Sequence, residues 1–124
     1  MNAKKAVLVL DDEPGITRII ESIFTLKGFN VVKHNSPTEA LGSTEVEQFD
    51  LVFVDMMMPE MSGIDFIEHA KQNQHHAQFV MLTAKRLDEE ERKELFNLGV
   101  DIMTKPFKPH DLIGVAGRLL SQNT

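Results

Sequence analysis

Asp50-Leu51-Val52-Phe53-Val54-Asp55-Met56-Met57-Met58-Pro59-Glu60-Met61-Ser62-Gly63 is the stretch that decides the fold. Leu51 to Val54 is a short, continuous apolar run with two β-branched residues, the pattern of a strand buried on both faces. The run stops at Asp55, a loop with Pro59 comes next, and Ser62 with Asp65 three residues later marks a capped helix start. Strand, loop, helix in that order is half of a βαβ unit.

The same grammar repeats on both sides. Ala6 to Leu10, Val31 to Val32 with its flanks, Phe79 to Leu82 and Ile102 to Met103 read as four further strands. Ile16, Ile19, Ile20, Ile23 and Phe24 form a helical stripe, with Gly28 expected to end it in the left-handed region. Ser36-Pro37-Thr38-Glu39 reads as an N-cap, a proline at the first helical position and a capping glutamate. Gly42 to Glu47 is a weak stretch for a helix end, and Asn73 to Gln78 reads as a polar loop. Asp88 with Glu91 opens a fourth helix running to Gly99. Pro109 opens a fifth, carrying Leu112, Val115, Ala116, Leu119 and Leu120 on one side.

Strands joined by helical crossovers are parallel, and right-handed connections place helices on both faces. The expected fold is therefore α/β: a doubly wound three-layer sandwich around a five-stranded parallel sheet, with residues 1–124 forming one domain. The length of 124 residues suits one core, and 42% apolar content with seven glycines is ordinary globular composition. No cysteine is present, which excludes disulfides, thiolate metal sites and cysteine catalysis. Thirteen basic against nineteen acidic residues give a net charge of −6, which repels a phosphate backbone and argues against direct nucleic-acid binding. No apolar run reaches membrane-spanning length, and no signal peptide is read; a soluble cytoplasmic protein is expected.

Open parallel sheets bind ligands beyond the carboxyl ends of their strands. Asp11, Asp12 and Glu13 follow the first strand, Asp55 the third, Thr83 the fourth, and Lys105 before Pro106 the fifth. Capping or turn chemistry accounts for each alone, but not for their gathering on one rim. Converging aspartates repel one another, and a hard cation such as Mg2+ relieves that repulsion. The divalent charge together with Lys105 balances Asp11, Asp12 and Asp55. A phosphoryl group brought there would meet the metal, the ammonium and the Thr83 hydroxyl. His34, His69, His75, His76 and His110 are expected at no strand end with a partner, which leaves a carboxylate, and Asp55 can attack phosphorus to give an acyl phosphate.

Val7-Leu8-Val9-Leu10-Asp11-Asp12-Glu13-Pro14, then the stretch 50–63, then Met81-Leu82-Thr83-Ala84, then Thr104-Lys105-Pro106-Phe107, resemble the receiver domain of bacterial two-component response regulators over nearly the whole chain. The resemblance implies the strand order 2-1-3-4-5 of the flavodoxin-like, chemotaxis-type fold. It implies that Asp55 accepts a phosphoryl group from a phosphohistidine on a sensor histidine kinase or histidine phosphotransfer protein. Asp12 would ligate Mg2+ directly, Asp11 mainly through water, and Asp55 and the Met57 carbonyl would complete the protein's share. Lys105 would pair with the phosphoryl group. Thr83 would swing to hydrogen-bond it and report to the face of helix four, strand five and helix five. The Lys105-Pro106 bond is expected to be cis, against about 5% of such bonds in general. Such a chain catalyses only its own phosphorylation and dephosphorylation, acting on a downstream effector or an output domain, with a phosphorylation-dependent homodimer a further option.

One departure is Ile102, where the family often carries tyrosine or phenylalanine; it leaves the phosphorylation chemistry untouched and bears on the coupling of Thr83 to the output face. Met57 and Lys85 stand at positions that tune acyl-phosphate lifetime in this family. Among rivals, a haloacid-dehalogenase-type phosphatase would need an acid where Met57 stands. A mononucleotide binder would be repelled by Asp11, Asp12 and Glu13. A degenerate receiver acting as a phosphorylation-independent docking module is the remaining alternative. His75-His76 reads as solvated loop, Met56 to Met58 and Met61 as loop filler, and Asp88 to Glu91 as a solvated first turn.

Overall fold

The computed structural model describes residues 4–121, so the expected domain limits at 1 and 124 lie outside the described residues. In chain order the elements are β1 (Ala6–Leu10), α1 (Pro14–Leu26), β2 (Asn30–His34), α2 (Pro37–Val46), β3 (Leu51–Asp55), α3 (Gly63–Ala70), β4 (Gln78–Thr83), α4 (Glu89–Leu98), β5 (Asp101–Thr104) and α5 (Pro109–Ser121). The sheet runs β2-β1-β3-β4-β5 with every pair parallel. β3, β4 and β5 extend past their apolar runs, so Asp55 and Thr83 are the last residues of β3 and β4 and not the first beyond them, and Gln78, read as loop, opens β4.

Residues on alternate faces of each strand feed two separate cores. Val7, Val9, Leu51, Phe53, Val80 and Leu82 pack with Ile20 and Phe24 of α1 and with Leu112, Ala116, Leu119 and Leu120 of α5. Leu8, Leu10, Val52, Val54, Phe79 and Met81 face the other way, against Ala40 of α2, Phe66 and Ile67 of α3 and Leu95 of α4. β3 is buried at all five positions because helices cover both its faces. Strand order reverses between β1 and β3, so the loops after these two strands diverge and open a crevice between them.

The helix signals are mostly realised. Gly28 has φ +92°, and Phe29 N donates to Phe24 O at 3.0 Å, closing the end of α1. Ser62 Oγ accepts from Asp65 N at 3.1 Å, and the reciprocal box of Asp88 and Glu91 is formed at α4. One reading needs correction at α2. Ser36 makes no side-chain cap; Pro37 alone presets the helical start, and Ser36 contributes only its carbonyl, which accepts from Ala40 N. The stretch from Gly42, weak by sequence, is helical to Val46 because a distant side chain holds it. Gln74, from the supposedly polar loop, is 1% exposed; its amide donates to Thr44 O and Glu47 O at 3.0 and 2.6 Å and accepts from Phe49 N at 2.9 Å.

Candidate functional site

The loop after β1 turns at Asp11. Its N–H donates to His34 O, continuing the ladder one step past the strand, so its side chain turns inward and is fully buried. Asn35 at the end of β2 clamps the same turn: its amide donates to Asp11 O at 2.8 Å and to Thr17 Oγ1 at 3.2 Å. Asp11 Oδ1 accepts from Glu13 N at 2.9 Å. Asp12, one residue on, is exposed.

Asp55 closes β3 and is 6% exposed. The turn after it is pinned from both sides: Met56 N donates to Leu82 O, and Gly63 N donates to Met56 O, each at 2.8 Å. A Cβ at Gly63 would overlap the Asp55 carbonyl oxygen and press on Met81 Sδ, so only glycine lets α3 begin this close to the acid.

Lys105 reaches the crevice from the end of β5, its N–H held by Thr83 O at 2.8 Å. Its Nζ lies 2.7 Å from Asp11 Oδ2, 3.2 Å from Asp55 Oδ1 and 3.2 Å from Glu13 Oε1. The Lys105-Pro106 bond is cis. Carboxylate oxygens of Asp11, Asp12 and Asp55 lie within 4.8 Å of one another. Asp12, Glu13, Asp55, Met57, Ala84, Lys85 and Lys105 line one cavity of about 470 Å3. A neighbouring cavity of about 450 Å3 lies beside Thr83, Lys85, Leu87, Arg92 and Ile102.

Burial, then the charge of Asp11, pushes the Asp55 carboxyl up to about 6, although Lys105 pulls the other way. Burial likewise raises Asp11. For Lys105 burial favours the neutral amine, but the surrounding carboxylates outweigh it and the net shift is upward, so the ammonium is charged throughout the ordinary pH range. One lysine thus serves three carboxylates. Asp11 Oδ2 is buried, and Lys105 Nζ at 2.7 Å is the cation beside it.

The structure brings Asp11, Asp12, Asp55 and Lys105 together as the sequence leads one to expect, with Met57, itself 63% exposed, on the cavity wall. Thr83 is buried at the adjoining wall, but its hydroxyl is turned to its own loop, donating to Lys85 O at 3.0 Å and accepting from Lys85 N at 3.1 Å. Asn35 is missing from the residues the sequence singles out, although it is the first residue beyond β2 and belongs with the other strand-end residues once that strand is included. The sequence places Glu13 on the rim without disclosing its pairing to Lys105. His34 corrects an expectation: it does end a strand and has a partner, Nε2 lying 2.7 Å from Ser43 Oγ on α2. Its side chain ties helix to sheet.

Fold and rim together define a class, a small doubly wound α/β protein with a lysine-bridged acidic crevice at its topological switch point. Comparison with known proteins narrows this. The response regulator receiver domain model matches residues 7–116, and the chain belongs to that family. Over 110 residues it is 37% identical to the alkaline phosphatase synthesis transcriptional regulatory protein PhoP of Bacillus subtilis, covering 87% of this chain and 45% of that protein. It is 31% identical over 116 residues to the response regulator SaeR of Staphylococcus aureus, covering 94% and 50%. The chain therefore spans about half the length of the curated relatives it matches. A receiver domain protein from Methanospirillum hungatei superposes with a TM-score of 0.91 at 26% identity, covering 98% of this chain and 97% of that one. Chemotaxis protein CheY4 of Vibrio cholerae gives 0.87 at 26%, covering 95% and 100%. The flavodoxin-like order 2-1-3-4-5 is thus shared with solved receivers, and the chain is a receiver domain of the two-component type. No helix among the described residues is long and apolar enough to cross a membrane.

Proposed function

We propose that residues 1–124 act as a single cytoplasmic receiver domain whose Asp55 accepts a phosphoryl group from a phosphohistidine of a sensor histidine kinase or phosphotransfer protein. An Asp55 oxygen attacks phosphorus as the phosphorus–nitrogen bond to histidine breaks, and the imidazole departs with the bonding pair. The observation that carries this reading is the placement of Asp55 on the wall of an open cavity, 3.2 Å from the half-buried ammonium of Lys105. Lys105 orients the incoming group and offsets charge on its oxygens as a fixed cation. The chain turns over no other substrate.

Mg2+ fits this donor set: hard carboxylate oxygens mutually within 4.8 Å, raised carboxyl pKa values and one lysine shared by three acids all favour an added hard cation. Asp11, Asp12, Asp55 and the Met57 carbonyl would hold it. When bound, it supplies charge neutralisation for the phosphoryl oxygens. Thr83 is within one loop of the same cavity and its hydroxyl can exchange the Lys85 backbone for a phosphoryl oxygen. The modified chain then acts on an effector or an output domain.

The test is incubation with Mg2+ and acetyl phosphate, read as intact mass for wild type and Asp55→Asn, with a metal-free control. A gain of one phosphoryl group that requires both Asp55 and the metal is expected. No gain with Mg2+ bound replaces this reading with that of a phosphorylation-independent docking module.

A further inference from the structure

Lys85 lines both cavities, the acidic one and the one beside Ile102. Its backbone N and O are both held by the Thr83 hydroxyl. Its Nζ lies 2.8 Å from Glu91 Oε2. The other oxygen of the same carboxylate, Glu91 Oε1, accepts from Asp88 N at 3.0 Å, while Glu91 N donates to Asp88 Oδ1 at 2.8 Å. Glu91 is therefore shared between the start of α4 and the wall of the acid pocket. Leu87 is buried between these anchors, and Arg92 Nε donates to its carbonyl at 3.3 Å. This loop has few ways to move without disturbing the first turn of α4.

We propose that Lys85 is a positioning residue through which a charge change at Asp55 reaches α4, with the Lys85–Glu91 pair as a latch that holds the unmodified state. The inference rests on the acceptor reading above. A phosphoryl group carries about two negative charges near neutral pH, where the Asp55 carboxylate carries one. Lys105 is already divided among three carboxylates, so Lys85 is the other cation on that cavity wall. Glu91 is a single carboxylate outside the pocket, its side chain 21% exposed, and a doubly charged phosphoryl group on the shared cavity wall competes with it for the ammonium. Drawing the ammonium inward releases Glu91 Oε2 and pulls the backbone that Thr83 holds, and α4 loses the anchor on its capping glutamate.

The test is backbone amide hydrogen exchange at positions 91 and 92 by NMR, in Mg2+ with and without excess acetyl phosphate, with intact mass read on the same samples. Phosphorylated wild type is expected to exchange at least about fivefold faster there than the unmodified protein, as local opening of that turn becomes easier. Glu91→Gln keeps an acceptor for Asp88 N but removes the ion pair; it is expected to gain the phosphoryl mass while its two states exchange alike. Lys85→Arg preserves the charge and is expected to retain the response. A full response in Glu91→Gln, or none in wild type that carries the phosphoryl group, overturns the latch. Absence of the mass gain in wild type overturns the acceptor reading instead, so the two failures are told apart by mass.

Discussion

Replacing Asp55 by asparagine should stabilise the metal-free protein at neutral pH, by an amount that shrinks as the pH falls into acid. The folded protein holds the Asp55 carboxyl at about 6, against 3.8 in the unconstrained chain, because burial and the Asp11 charge disfavour ionisation more than Lys105 favours it. The folded state therefore binds the proton more tightly than the unfolded state. Stability falls as pH rises from about 4 to about 6 and is level above that. The displacement corresponds to about 3 kcal/mol at most, missing from the ionised native state. The asparagine side chain is neutral at every pH and nearly isosteric with the acid. It also leaves Lys105 with Asp11 and Glu13 alone, so part of the gain is returned. A net gain of about 1–2 kcal/mol at pH 7.5 is expected, or roughly 4–8 °C in Tm for a chain of this size. At pH 4.5 the gain should fall to about a third of that. The protein has neither tryptophan nor tyrosine, so urea unfolding is followed by far-UV circular dichroism, with chelator present. Equal stability of the two proteins at pH 7.5, or a gain that does not shrink in acid, refutes the account, because neither can come from the charge on Asp55.

Three further outcomes are expected from the same geometry. Mg2+ alone should raise the Tm of wild type, by about 1.4 kcal/mol in stability at tenfold excess over its Kd, and calorimetric titration should show that Asp12→Asn loses most of this binding. Gly63→Ala should cost about 1–3 kcal/mol in urea unfolding, since the added methyl meets backbone oxygen at Asp55, and should slow phosphoryl gain by intact mass. Asn35→Ala should cost about 1–2 kcal/mol and weaken Mg2+ binding severalfold by titration, because the carbonyl of Asp11 and the Thr17 hydroxyl lose their common donor.

The sequence discloses those features of this molecule that local patterns encode. Leu51 to Val54 announces a strand covered on both faces, and Asp88 with Glu91 announces the start of α4, because a buried run and a capping box are each written within a few residues. The end of α2 is not, since the side chain that secures it, Gln74, comes from a loop some thirty residues on. The same division runs through the site. Reading the residues at each strand end reaches Asp11, Asp12, Asp55, Thr83 and Lys105, because parallel strands must end on one rim. Asn35 escapes only because β2 has a poor apolar run, being an edge strand with no buried position. Asp11 and Asp12 are chemically identical neighbours, yet one is fully buried and the other exposed; Asp11 N still pairs with His34 O, so strand parity, one step past β1, separates a buried charge from a solvated one. Which carboxylates Lys105 serves depends on a crossing of 92 residues to Glu13 and on the register β4 keeps with β5, and no local motif states either. The acids can be found from sequence, then, but their inequality cannot: a buried Asp11 held against Lys105, and an Asp55 whose charge is disfavoured at the cavity wall.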